Sequence, residues 1–351
     1  MVERRELAGC GRAIRQGCAI TRGFHEVAAD GAVRATAPVS VGDESHFARR
    51  VRIDAIHGWR CGHERPLLHD SRLSPIDPPV STPPVAASET AGSDRVKTTD
   101  TNSEPAWTNE LLAAPHDVAD KSRRVRQMFN AISRRYALIN TLFSVGRDAA
   151  WRRKGATLAA VKAHDVVLDL ACGTGEFSRA LGAFGPKHIV GCDFAHSMLL
   201  LALARPGGGG RTAIHWLEAD ALILPFASSS FTVAACAFGV RNFQDPMAGL
   251  REMHRVLKPG GRAVILEFSR PRRPVAAWLN RLFCEKIMPP AATWISGDGT
   301  GAYIYLPRSV ASFPDGEEFC ERVRSSGFAT CCSFPLTYGI VTLYLAFREP
   351  E

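Results

Sequence analysis

Uninterrupted apolar runs are short everywhere in this 351-residue sequence. None approaches the roughly 18 residues that a helix needs to cross a bilayer, so the chain is expected to be soluble, with room to lie on a membrane surface. The first 24 residues carry five arginines but also Glu3 and Glu6 and no apolar core, which argues against a signal or transit peptide. The ten cysteines include no C-x-x-C pair. With neither that spacing nor a His cluster, no metal site is expected, and the thiols read as reduced in a cytoplasmic protein. Basic clusters interleaved with aromatics are also missing, so no nucleic-acid partner is expected. Methionine is absent between Met1 and Met128, so the opening segment reads either as translation from an upstream start or as a weakly folded appendage.

Charge and texture then divide the chain. Residues 1–110 hold 14 basic against 15 acidic side chains, so the net +8 sits entirely in the remainder. A field of that sign suits an anionic ligand, an anionic membrane surface or nucleic acid, and does not choose among them. Residues 1–70 show no lasting period, and 71–110 are rich in Pro, Ser and Thr, the composition of a disordered linker. The expected division is a poorly structured extension over 1–115 and one folded domain over 116–351. That domain opens with an amphipathic helix, Val118 to Ile132, with Asp117 as its N-cap, followed by a helix from Asp148 to about Val161. Strands then alternate with helices: Val166–Leu170, His188–Asp193, Ile214–Leu217, Phe231–Phe238 and Gly261–Phe268, with helices from Glu176 and Ser197 and across Met247–Leu257. This predicts a mostly parallel α/β sheet covered on both faces. A helix over Gly316–Ser326 and strands over Phe328–Ser333 and Gly339–Phe347 suggest an antiparallel pair closing the sheet.

Asp169-Leu-Ala-Cys-Gly-Thr-Gly175 joins a buried strand to a helix. There, glycines let backbone approach a ligand and helix amides point at it. Gly173 and Gly175 fit either a dinucleotide or S-adenosylmethionine (SAM), and Asp193, at the end of the next strand, suits ribose hydroxyls of both. Two features bear on the choice: Ser178 stands where a dinucleotide fingerprint has its third Gly or Ala, and Asp169 places a carboxylate where a cationic cofactor would gain from it. Asp220, with Ala221, ends the third strand and is placed to meet an adenine edge, although a turn role is the plainer reading.

Residues Val118 to Arg348 resemble the ubiquinone/menaquinone biosynthesis C-methyltransferases, a family of class I SAM-dependent enzymes. The resemblance rests on Tyr136-Ala-Leu-Ile-Asn140, Phe238-Gly-Val-Arg-Asn-Phe243, Arg255-Val-Leu-Lys-Pro-Gly-Gly261 and Leu266-Glu-Phe-Ser-Arg-Pro271. It implies a Rossmann-like fold with a seven-stranded sheet and an antiparallel last strand, and SAM held at Thr174, Asp193, Asp220 and Ala221. The sequence departs from the family pattern at Ala237, where a serine is usual, at Ala137, where an Asp commonly follows the tyrosine, and at Tyr338, where a Gly is common.

The substrate that the resemblance implies is a demethylated polyprenyl quinol, methylated on a ring carbon. Deprotonation of its hydroxyl makes that carbon nucleophilic. Arg241 is then the candidate to stabilise the phenolate and Asn242 to orient the hydroxyl or hold a water that takes its proton. A surface pair of Arg241 with Asp245 is the plainer alternative. Tyr136 and Asn140 are substrate-side candidates. Segments Ser144–Asp148, Tyr305–Val310 and Phe313–Glu317 resemble the menaquinone-making members, which points to demethylmenaquinol, with a ubiquinone-pathway quinol as the sister possibility. An apolar stretch over 275–295, broken by Pro289-Pro290 and flanked by Arg272, Arg273 and Arg281, suggests a cover for the prenyl tail, peripheral membrane contact, or simply packing on the sheet. A homo-oligomer is compatible with all of this. The competing functions are a class I methyltransferase of a sterol or phenol, and a Rossmann protein binding NAD or nucleic acid.

Overall fold

The computed structural model describes residues 106–108, 110–205 and 212–351. The stretches expected as an unpatterned segment and a Pro-rich linker lie, up to residue 105, outside the described residues. The seven strands are β1 (Val166–Leu170), β2 (His188–Asp193), β3 (Ile214–Glu218), β4 (Phe231–Ala237), β5 (Leu257–Phe268), β6 (Thr330–Leu336) and β7 (Val341–Phe347). They form one sheet in the order β3-β2-β1-β4-β5-β7-β6. β1 to β5 pair in parallel, and β7 runs antiparallel to both its neighbours, the arrangement that the resemblance implies. The closing pair is not simply added to the edge: β7 inserts between β5 and β6. Its apolar run Val-Thr-Leu-Tyr-Leu-Ala-Phe is buried along nearly its whole length, whereas β6 is half-exposed and suits the edge.

Three apolar clusters hold the sheet and its cap. One face packs on α5 (Pro246–Val256) and α9 (Glu317–Ser325) through Leu250, Met253 and Phe319. The other takes Trp151 of α2 (Arg147–Leu158) and Phe177 and Leu181 of α3 (Glu176–Gly182). The third cluster joins α1 (Lys121–Phe143), α7 (Met288–Ser296) and α8 (Ala302–Ala311) to Trp107 and Leu112. Among the described residues, Ala106 and Trp107 are already buried, ahead of residue 116, where the sequence places the start of the domain.

Several boundaries differ from expectation. α1 runs on to Phe143, because Tyr136 and Ile139 continue its inner stripe and no breaker intervenes before Gly146. Its N-terminal neighbour is Asp120 and not Asp117, and the Asp120 side chain takes Arg123 and Arg124 in place of a backbone amide. α8 has no counterpart in the sequence reading; Pro307 inside it disguises the helical pattern. Between β6 and β7 the chain turns through Tyr338 at φ 58°, which accounts for glycine being common there. Among the described residues, Cys172, Cys192, Cys236, Cys284, Cys320 and Cys331 are free, as expected of reduced thiols. No helix among the described residues is long and apolar enough to cross a membrane.

Candidate active site

The strand order reverses between β1 and β4, and there a cleft of about 720 Å³, counting its open mouth, lies at the carboxyl ends of the strands. Switch points of this kind are where open parallel sheets hold ligands. Ala171 and Gly173 after β1, Asp193 and Phe194 at the end of β2, and Ala219 to Ala221 after β3 line one part of it. Ala237, Phe238, Gly239 and Asn242 after β4, with Phe129 and Tyr136 of α1, line the rest.

The glycine loop is built by backbone conformation. Gly173 and Gly175 have φ of 56° and 83°, a region that side chains other than Gly rarely enter. A Cβ on Gly173 would meet only open space, while one on Gly175 would collide with the Trp216 ring. Asp193 ties the loop to β2: its two carboxylate oxygens accept from the backbone N–H of Gly173 and of Ala195, each at 2.8 Å. Each oxygen keeps further acceptor capacity for a ribose hydroxyl. Burial, opposed by those backbone hydrogen bonds, raises the Asp193 pKa to about 6.

Asp169 lies behind the lining, fully buried, and its Oδ2 accepts from Ser178 Oγ at 2.5 Å. Its Oδ1 has no partner. Burial raises this carboxyl to about 7, against the Ser178 hydrogen bond and the positive charge of Arg152. An unpaired buried carboxylate oxygen beneath a glycine loop fits a ligand that brings a cation, as SAM does with its ammonium and sulfonium groups. Asp220 makes the turn, Oδ1 accepting from Leu222 N–H at 2.9 Å, and also lines the cleft with Ala221. The Thr174 hydroxyl, by contrast, is committed to the Glu176 carboxylate at 2.6 Å, which leaves its backbone amide as what it can offer a cofactor.

On the substrate side the structure separates residues that the sequence grouped. Asn242 is in the cleft lining; Arg241 is behind it, only 4% exposed. Arg241 Nη1 donates to Glu267 Oε2 and to the Phe238 carbonyl, both at 2.8 Å, and its guanidinium stacks on the Phe268 ring. The suggested partner Asp245 instead caps α5 and lies 3.6 Å from Arg251. Tyr136 lines the cleft, edge-on to Phe129. Asn140, one turn further along α1, is outside the lining; burial raises the Tyr136 pKa, opposed by the neighbouring Asn140 side chain.

Sequence reasoning did not single out Lys121, Glu267, Tyr305 or Trp107. Lys121 is fully buried, its Nζ donating to the Phe243 carbonyl at 2.5 Å and hydrogen-bonded to His116 Nδ1 at 3.2 Å. Burial, with the nearby charge of Arg241, lowers its pKa to about 8. Arg241 is ion-paired with the buried Glu267 just behind the cleft, and the negative charge of Glu267 also reaches Lys121, where it opposes the lowering by burial. Glu267 and Tyr305 stand inside motif segments; a charged or polar residue in a run destined for the core was the available signal.

Comparison with known proteins adds to this geometry. The model of the ubiE/COQ5 methyltransferase family matches residues 117–348. A demethylmenaquinone methyltransferase of Deinococcus radiodurans is 42% identical over 234 residues, covering 66% of this chain and 96% of that protein. Proteins of the same name from Thermus thermophilus and Clavibacter sepedonicus are each 40% identical, over 222 and 228 residues, covering 63% and 65% of this chain and 100% and 91% of theirs.

Proposed function

The chain belongs to the ubiE/COQ5 methyltransferase family, and from that membership we propose that it methylates a ring carbon of demethylmenaquinol, with SAM as the methyl donor. The observation that carries the cofactor side is the pair of buried carboxylates at the glycine loop, Asp193 with spare acceptor sites and Asp169 with an unpaired oxygen. Bound there, SAM supplies a methyl group made electrophilic by the positive sulfur. Asp193 would hold the ribose hydroxyls, Asp169 the cationic end, and Asp220 with the Ala221 backbone the adenine edge.

On the other side of the cleft the chain's residues manage a proton and a negative charge. The quinol hydroxyl would give up its proton to a water held by Asn242, and the ring carbon made nucleophilic in this way would take the methyl that SAM supplies and then release its own proton to solvent, restoring aromaticity. Asn242 would donate to the quinol oxygen, while Arg241 and Lys121, cations behind the wall, favour the charge that grows on it. Tyr136, with Asn140 behind it, would pack against the ring. The test offers the enzyme labelled SAM with a dithionite-reduced prenylated naphthoquinone lacking the ring methyl, and in parallel the corresponding benzoquinone. Methylation of the first and not the second supports menaquinone chemistry; the reverse would assign a ubiquinone precursor, and transfer to neither would overturn the reading.

The apolar stretch over 275–295 supports contact with a membrane surface. α6 (Pro274–Leu282) has no buried residue, against the expectation of packing on the sheet. Val275, Trp278, Leu279 and Trp294 are all more than half exposed, beside exposed Arg272, Arg273, Arg281 and Lys286. Apolar side chains with a basic rim suit an anionic bilayer from which a prenylated quinol would be drawn. Co-sedimentation with phosphatidylglycerol vesicles, lost at high salt and in Trp278→Ser/Trp294→Ser, is the expected result; equal recovery on neutral vesicles would remove the electrostatic part.

A further inference from the structure

Asn242 is held at both ends of its amide. Nδ2 donates to the Phe238 carbonyl at 3.1 Å, and Oδ1 accepts from the Tyr305 hydroxyl at 3.0 Å. A carbonyl only accepts, so the Phe238 contact decides which way the amide faces, and the tyrosine completes the arrangement. Nδ2 keeps one hydrogen to give, while Oδ1 is already accepting. Burial holds the Tyr305 phenol well above its ordinary pKa in spite of Arg241 nearby, so it stays an O–H donor.

Tyr305 is itself clamped. Its ring stacks on Trp107 with centroids 4.2 Å apart and planes at 26°. Trp107 is buried, its backbone N–H donates to the Thr300 carbonyl at 3.0 Å, and its indole N–H has no partner. An indole buried with its one polar group unpaired contributes through its ring face. Trp107 also lies ahead of residues 117–348, the part of the chain that the family model covers.

We propose that Tyr305 is a positioning residue for methyl transfer, locking Asn242 as a hydrogen-bond donor toward the quinol oxygen, and that Trp107 holds Tyr305 in the required rotamer. The proposal rests on the reading of Asn242 given under the proposed function. It makes the residues just ahead of the family region part of the working site.

The test is a double-mutant cycle on the full chain, with kcat, KM and SAM affinity measured on the reduced naphthoquinone described above. Tyr305→Phe should lower kcat about tenfold with SAM affinity within about twofold, because an orienting bond acts on rate and not on cofactor binding. In an Asn242→Ala background the same change should cost less than about twofold. Trp107→Phe, which keeps a ring face, should retain most of the rate, whereas Trp107→Leu, which fills the space without one, should resemble Tyr305→Phe. Equal losses from Tyr305→Phe in both backgrounds would show a purely structural role and overturn the proposal, as would a normal Tyr305→Phe rate. A normal rate for folded Asn242→Ala would instead overturn the assignment of Asn242 and take the positioning role with it.

Discussion

Arg241 donates to Glu267 at 2.8 Å with both side chains in the protein interior, 4% and 2% exposed. A buried pair is costly to break from one side, because the remaining charge has no partner and no water. Arg241→Ala is therefore expected to destabilise the fold by about 3–5 kcal/mol in addition to slowing methylation. The two effects separate in Arg241→Met/Glu267→Leu, which removes both charges. Thermal melts should show stability largely restored while turnover stays depressed by about 10²-fold. Recovery of both together would make the pair structural only.

Asp169 and Asp193, raised by burial to about 7 and about 6, link SAM binding to pH. An acid whose folded pKa lies above its unfolded one supplies stability below the unfolded value, and that stability is lost as pH rises through the folded value. Without ligand, these two groups should therefore make the protein less stable as pH climbs from about 4 to about 7. A ligand bringing hydroxyl donors and a cation favours the ionised forms, so SAM affinity should rise between about pH 5.5 and about pH 8 with release of protons. Calorimetry in buffers of different ionisation heat measures this. Asp169→Asn should flatten the profile, and a flat profile in the wild type would detach both carboxylates from the ligand.

Replacing Asp193 by Ala removes the ribose partner and the tie between Gly173 and Ala195 at once. SAM affinity should fall at least about tenfold, since each donor left unpaired costs roughly 1–3 kcal/mol. Unchanged calorimetric affinity in a folded variant would refute the assignment.

Two truncations should behave differently. Trp107 and Leu112 are 3% and 4% exposed within the cluster that includes α1 and α8. Removing residues 1–104 is expected to leave melting temperature and SAM binding nearly unchanged. Removing 1–115 strips two large apolar side chains from a packed cluster and should cost several kcal/mol, at about 2–5 kcal/mol for each buried side chain lost. Equal melting temperatures for the two would show that the Trp107 segment adds nothing to the fold.

Tyr338 sits at φ 58° and is 70% exposed, so it meets the left-handed conformation with little packing in return. Tyr338→Gly should raise stability by up to about 1 kcal/mol. A lower melting temperature would mean that the ring makes contacts worth more than the strain.

The β/α alternation from Val166 onward was legible because a parallel strand covered on both faces must be mainly apolar, and β1, β2 and β4 are, with Asp169 and Asp193 as the carboxylate exceptions at the site. The glycine loop was legible for a related reason: Gly173 and Gly175 are required by local backbone geometry, and Asp193 follows at the end of the next strand. Those features depend on neighbours in the chain, and a sequence displays them directly. The placement of β7 between β5 and β6, the pairing of Arg241 with Glu267, and the stack of Trp107 on Tyr305 join residues far apart in sequence. Only tertiary packing selects among such partners, because burial leaves each charge or amide to find whatever complementary group the fold brings within reach. The motif drew attention to Arg241 and Asn242 together; the fold turned the amide toward the cleft and the guanidinium into the core.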